Sequence, residues 1–149
     1  MCHGNICRSP YAEHALLREM AAARRDGWTA ASAGFVQPGR PSPVEARTVA
    51  ARRGLDLEAH RSRLLTRELV AACDLVYVMS AAQRRSLLDL YGGEPARVWI
   101  LGDLDPNTIA RRTIRDPNEQ PEEVFEEVYD RIDRCLRAFT GAIAVPSDD

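Results

Sequence analysis

The run Leu75-Val76-Tyr77-Val78-Met79 constrains the fold more than any other stretch of this chain. Unbroken apolar residues over that length read as a strand buried on both faces, as inside a parallel sheet. Ser80 then caps a helix predicted to about Tyr91, Gly92-Gly93 ends it, and Val98-Trp99-Ile100-Leu101 is the next strand. The rest of the chain alternates in the same way. A helix is predicted to open at Ser9-Pro10, with Ser9 as N-cap and Pro10 at the first helical position. Ala12, Leu16 and Met20 share one face of it, and Gly27 ends the segment. Trp28 to Ala33 reads as a short strand, followed by a Gly/Pro-rich loop from Gly34 to Pro43. Val44 to Arg53 is helical and stops at Gly54, and Thr66 caps a short helix over Arg67 to Ala72. After a long loop from Gly102 to Gln120, a last helix starts near Pro121. Phe125, Val128, Ile132, Cys135, Phe139 and Ile143 recur along it at helical spacing. Such alternation predicts an α/β fold with a mostly parallel sheet. No repeat, low-complexity stretch or linker divides the chain, so residues 1–149 are expected to form a single domain with a frayed tail from Pro146 to Asp149.

Composition narrows the function by exclusion. The net charge of -2 gives no basic excess of the kind a nucleic-acid-binding face needs. All 20 cationic residues are Arg, which reads as codon bias of a GC-rich, bacterial genome rather than as a binding signature. No apolar run approaches the roughly 20 residues that span a bilayer, and the polar start of the chain is no signal peptide. A cytoplasmic location is therefore expected, with no membrane partner. For some of Cys2, Cys7, Cys73 and Cys135 a reactive or metal-binding role is then expected ahead of disulfides. Cys2, His3 and Cys7 lack zinc-ligand spacing, and no second ligand group faces them, so no metal is expected.

The chemistry concentrates in Cys2-His3-Gly4-Asn5-Ile6-Cys7-Arg8-Ser9. A thiolate can accept a phosphoryl group, provided it exists at neutral pH, whereas a free Cys has a pKa of about 8.5. Three features around Cys2 favour the anion. Gly4 and its neighbours can turn backbone N–H groups inward as a nest. The following helix points its positive end at the same place. Arg8 adds a fixed charge whose planar fork matches two phosphate oxygens. The intervening residues let the loop wrap a tetrahedral anion, so His3, Gly4, Asn5, Ile6, Cys7 and Ser9 are expected to bind it. Ser9 is placed to donate to the Cys2 sulfur.

Cleavage also needs a proton for the leaving oxygen. Asp116-Pro117 lies in the long loop after the last strand, and such loops converge at the C-terminal ends of parallel strands. Asp116 is therefore the expected general acid, and the activator of water in a second step. By itself an Asp-Pro pair is only a turn former; the loop at the N terminus gives it meaning.

Cys2 to Pro10 resembles the phosphate loop of the low-molecular-weight protein tyrosine phosphatases. The resemblance continues through Ser32-Ala33-Gly34, His60-Arg61-Ser62-Arg63, Cys73-Asp74-Leu75-Val76 and Ile114-Arg115-Asp116-Pro117, covering nearly the whole chain. It implies a three-layer α/β sandwich on a four-stranded parallel sheet, no metal or other cofactor, and a cysteinyl-phosphate intermediate. It implies a loop-shaping role for Asn5, supported by His60. It makes Cys7 the second cysteine of the loop, either a partner for Cys2 on oxidation or simply a small buried side chain. Bacterial members of the family often oppose a tyrosine kinase in exopolysaccharide production, which implies phosphorylated protein as substrate and such a kinase as partner.

The sequence also departs from the family. A hydrophobic strand normally precedes the nucleophile, and only Met1 does so here. Without it the sheet centre should expose a groove of unpaired backbone groups. We expect translation to start upstream, a reading that an in-frame stop just before Met1 would sink. Asn118 follows Pro117 where the family has an aromatic wall. Phe35 and Val36 are candidates for replacement walls, with Phe35 equally suited to the core, and Arg40 meets either an acidic substrate or simply solvent. Arginine-phosphate-specific relatives carry Thr at the position of Ile6, so Ile6 points to phosphotyrosine. A thioredoxin-coupled arsenate reductase would need further cysteines after the strand at 75–79, where Ser80 and Ser86 stand. A phosphoanion-binding module without turnover is the other alternative, should the site be distorted. Trp28, Trp99 and Cys73 are expected in the core, His3 and His14 partly exposed. Glu122, Glu123, Glu126 and Glu127 are expected on a solvated helix face, and Arg52, Arg53, Arg61 and Arg63 on the surface.

Overall fold

The computed structural model describes residues 1–143. The expected fraying at Pro146–Asp149 lies outside them. Strands β1 (Val76–Val78) and β2 (Val98–Ile100) pair in parallel, with Val76 opposite Val98, Tyr77 opposite Trp99 and Val78 opposite Ile100. Alternation along the strands sends successive side chains into different layers. Val78, Val98 and Ile100 join Ala33, Leu65, Val70 and Leu87 in a core under helices α3 (Arg67–Ala71) and α4 (Ala81–Tyr91). Tyr77 and Met79 face the larger core, built by α1 (Arg8–Ala22), α2 (Val44–Arg52) and α5 (Glu122–Ala142). The molecule is thus an α/β fold, with a parallel sheet between helical layers.

Two of the predicted N-caps, Ser80 and Thr66, act as the sequence predicts. Ser80 Oγ accepts the Gln83 N–H at 3.2 Å, and Thr66 Oγ1 accepts that of Leu69 at 3.2 Å. Gly92 ends α4 with φ 76°, a left-handed turn that costs glycine least. Along α5 the predicted apolar stripe is buried from Phe125 to Phe139, while Ile143 sits half-exposed just past the helix end.

Several expectations give way to tertiary context. Residues 28–33 form no strand; the one parallel bridge in this region joins Gly34 to Leu64. A strand exists only where a neighbour completes its ladder, and here its neighbour is an apolar groove of about 470 Å³. Leu16, Trp28, Leu65, Tyr77 and Phe139 are among its walls. The Met1 amino group bonds the Tyr77 carbonyl at the margin of this groove. Trp28 and Trp99 are not core residues, being 39% and 49% exposed. Trp99 lies on β2 with its indole N–H on the Ala96 carbonyl at 2.8 Å, and Trp28 packs edge-on against Phe139. Cys73 is half-buried beside the groove. On α1, Tyr11 and Ala15 are fully buried with Met20, while Ala12 and Leu16 are only partly buried.

On the acidic face of α5, Glu123 and Glu127 are exposed as expected, while Glu122 and the neighbouring Asp130 are paired. Arg52 pairs with Glu122 at 2.7 Å and Arg53 with Asp130 at 2.7 Å, which fastens the end of α2 to α5. Among the described residues no helix is long and apolar enough to cross a membrane.

Candidate active site

The residues between Cys2 and Cys7 curl over the N terminus of α1, and Asn5 sets the curl. Its φ is 52°, a left-handed conformation that asparagine tolerates better than most residues. Its buried side chain uses its amide on both sides. Nδ2 donates to Ser9 Oγ at 2.9 Å and to Ser32 Oγ at 2.8 Å, and Oδ1 accepts the Arg63 N–H at 2.9 Å. His60 Nε2 lies 2.6 Å from the Asn5 carbonyl, so the support implied for His60 is in place. Arg63 is likewise no free surface cation, for its Nε donates to the Ser32 carbonyl at 2.6 Å.

Gly34 backs this loop closely. A Cβ there would stand 2.7 Å from the His3 carbonyl oxygen and 2.8 Å from the Asn5 nitrogen. Both atoms are backbone, so the loop itself would have to move. A misplacement of about 1 Å can cost on the order of 100-fold in rate. Gly34→Ala should therefore lower kcat/KM for an aryl phosphate by at least about tenfold. Unchanged steady-state kinetics would show that the loop does not depend on this contact.

Ser9 does not cap the helix. Helix α1 begins at Arg8 with Cys7 as N-cap, and no side chain caps it. The Ser9 hydroxyl lies instead 3.0 Å from Cys2 Sγ. Because Ser9 Oγ accepts from Asn5, its hydrogen is available to a Cys2 thiolate. The uncapped first turn leaves N–H groups for an anion.

Arg8 is only 4% exposed. Its Nη1 donates to the Ile114 carbonyl at 3.0 Å and its Nη2 to Asp116 Oδ2 at 2.5 Å. Among the described residues its Nε is buried without a partner, a cationic donor that a bound oxyanion would satisfy. The loop carrying Asp116 is anchored by the Ile114 N–H on the Met79 carbonyl at 2.9 Å, just beyond the C-terminal end of β1. The sequence placed Asp116 by this convergence, and the structure puts it beside Arg8.

Cys2, Gly4, Ile6, Arg8, Arg40 and Asp116 are among the walls of a small cavity of about 70 Å³, with His3, Cys7 and Asn118 completing it. The apolar wall considered for Phe35 is not there. Phe35 is partly buried in the second core, with ring centroids 6.0 Å from Tyr91 and 6.5 Å from His3. The cavity lining includes the polar Arg40 and Asn118, with Ile6 as an apolar side chain. Burial pushes the Cys7 thiol well up, and the negative charges of Cys2 and Asp116 add to the rise. Cys73 lies at the groove and Cys135 in the core, so no third cysteine joins Cys2 and Cys7. The relay that an arsenate reductase needs is not assembled.

Sequence reasoning missed one residue behind the loop. Tyr129, fully buried on α5, donates its hydroxyl to the Cys7 carbonyl at 3.1 Å. It falls one turn after Phe125 on the apolar stripe, and a buried Tyr hydroxyl there demands a polar partner.

Residues 1–146 match the family model described as low molecular weight phosphotyrosine protein phosphatase. The chain is 35% identical over 144 residues to the probable low molecular weight protein-tyrosine-phosphatase EpsP of Ralstonia nicotianae, covering 96% of this chain and 92% of that protein. Among solved structures it is similar to Vibrio vulnificus Wzb in complex with benzylphosphonate, at 29% identity and a TM-score of 0.82, covering 95% and 94% of the two chains. It is also similar to a low molecular weight protein tyrosine phosphatase from T. tengcongensis, at 28% identity and a TM-score of 0.86, covering 95% of each.

Proposed function

The chain belongs to the low molecular weight phosphotyrosine protein phosphatases, and on that premise we propose that it hydrolyses phosphotyrosine on proteins in two chemical steps. In the first, Cys2 Sγ attacks phosphorus, the bond from phosphorus to the tyrosine oxygen breaks, and Asp116 gives that oxygen its proton. In the second, water attacks the cysteinyl phosphate, Asp116 takes the proton, and inorganic phosphate leaves. The Ser9 hydroxyl, 3.0 Å from Cys2 Sγ, donates to the sulfur as it becomes an anion again. Arg8 and the loop N–H groups hold the equatorial oxygens and stabilise their charge in the transition state. His3, Gly4, Asn5, Ile6 and Cys7 complete the cradle. No metal or cofactor enters either step.

The observation that carries this reading is the buried Nε of Arg8, without a partner among the described residues, at a cavity that also holds Cys2 and Asp116. A phosphoryl group entering there takes the guanidinium. Asp116 then loses its partner and faces the leaving oxygen. The substrate is a phosphorylated protein, and a bacterial tyrosine kinase is the natural opposing enzyme in a cytoplasmic setting.

Steady-state phosphate release from tyrosyl, seryl and arginyl phosphopeptides tests the assignment. The tyrosyl peptide should turn over fastest, because Ile6 offers an apolar edge to an aryl ring and no hydrogen bond to a guanidinium. Faster release from the phosphoarginyl peptide would overturn the tyrosine assignment and leave the two-step chemistry standing.

A further inference from the structure

We propose that Tyr129 is a positioning residue of the phosphate cradle, acting through the Cys7 carbonyl. This rests on the phosphatase reading above. The loop's backbone carries an alternation that supports it. The His3 carbonyl accepts the Phe35 N–H at 2.8 Å, the Asn5 carbonyl lies 2.6 Å from His60 Nε2, and the Cys7 carbonyl accepts the Tyr129 hydroxyl at 3.1 Å. Neither Phe35, His60 nor Tyr129 lines the small cavity, whereas every loop residue from Cys2 to Arg8 except Asn5 does. Each of these carbonyls is thus held from behind the cavity.

No peptide bond among the described residues is cis. In a trans peptide the C=O and the following N–H point in opposite directions. Holding the carbonyls of His3, Asn5 and Cys7 at the back therefore turns the N–H groups of Gly4, Ile6 and Arg8 toward the cavity. These are the donors of an anion nest. Cys7 is also the N-cap of α1, so its carbonyl already points along the helix. The Tyr129 hydroxyl adds a second, fixed donor to the peptide that carries both the Arg8 N–H and the start of the Arg8 side chain.

Tyr129 is itself held firmly. Its ring stacks on Tyr11 with centroids 3.7 Å apart and an interplanar angle of 8°, and Phe125 meets it edge-on at 5.9 Å. The Tyr11 hydroxyl in turn donates to Asp133, 2.9 Å from each carboxylate oxygen. Burial raises the Tyr129 phenol well above its ordinary pKa, so it remains a donor throughout the working pH range.

A purely structural role would also be served by that hydrogen bond, so the test compares two hydroxyl deletions. Tyr129→Phe removes the bond to the loop, and Tyr11→Phe removes the bond to Asp133 and leaves the ring stack. Both should lower the thermal midpoint. Only Tyr129→Phe should raise the Ki of inorganic phosphate roughly tenfold and lower kcat/KM for an aryl phosphate at least as much, as expected for one misplaced buried hydrogen bond. Tyr11→Phe should leave both within about twofold, small against the tenfold that 1.4 kcal/mol represents. Equal changes in the two variants, or an unchanged phosphate Ki in Tyr129→Phe, would overturn the proposal. Should the unmodified protein bind phosphate without turning over any phosphomonoester, the functional reading fails alone. Direct phosphate binding to the two variants by calorimetry still decides the role of Tyr129.

Discussion

Cys2→Ser should abolish turnover of an aryl phosphate while inorganic phosphate still binds. The substitution changes one atom at the centre of the proposed chemistry. A serine hydroxyl is a weak nucleophile unless a neighbouring base removes its proton. Among the described residues, the only side chain within hydrogen-bonding distance of the Cys2 sulfur is Ser9, at 3.0 Å, which is no base. Removing a nucleophile from a working constellation costs on the order of 10⁴-fold or more. Binding depends on other atoms. The proposed cradle is shaped by Asn5, His60 and Arg63 and charged by Arg8, and none of these bonds the sulfur. Phosphate release from 4-nitrophenyl phosphate, with calorimetric titration of inorganic phosphate, reads both halves. Residual turnover within about tenfold of the unmodified protein would sink the nucleophile assignment, given that scale of loss. Phosphate binding by the unmodified protein without any turnover would instead favour an anion-binding module.

How much was legible beforehand depends on how far each feature reaches along the chain. The unit from β1 through α4 to β2 was legible because an apolar run, the Ser80 cap and the Gly92 stop are all local and agree with the packing. The candidate phosphate loop could be read as a unit because its residues are contiguous. Asp116 needed a rule about strand ends to join it. The failures share a different cause. Whether residues 28–33 form a strand depends on what lies beside them, and an apolar groove lies there. Trp99 has strand-like neighbours, yet its position on β2 leaves it half-exposed. Ser9 follows the capping rule in sequence, but a contact with Cys2 takes its hydroxyl. Arg53 reads as a surface charge until α5 supplies Asp130. Tyr129 reaches the loop across 122 residues, and nothing local to either end announces that contact.

Asp116→Asn should separate chemistry from binding in the opposite direction to a loop mutation. General acid catalysis contributes roughly 10²- to 10⁴-fold, and most where the leaving oxygen is most basic. With phenyl phosphate, a poor leaving group, kcat should fall by about that range. With 4-nitrophenyl phosphate, whose phenolate departs readily, the loss should be much smaller. Equal losses for the two substrates would refute the acid assignment. Asparagine is the informative choice because its amide oxygen can still accept from Arg8, whose Nη2 contacts Asp116 Oδ2 in the free protein. The loop is also held independently, by the Ile114 N–H on the Met79 carbonyl and by Arg8 Nη1 on the Ile114 carbonyl. Phosphate affinity should move the other way. A carboxylate at the cavity wall opposes an incoming anion and competes with it for Arg8. Removing that charge should leave the phosphate Ki unchanged or lower, although kcat collapses. A variant that lost activity by disturbing the loop would show a raised Ki with both substrates impaired alike. A leaving-group-dependent kcat with an undiminished grip on phosphate is what the placement of Asp116 against Arg8 predicts.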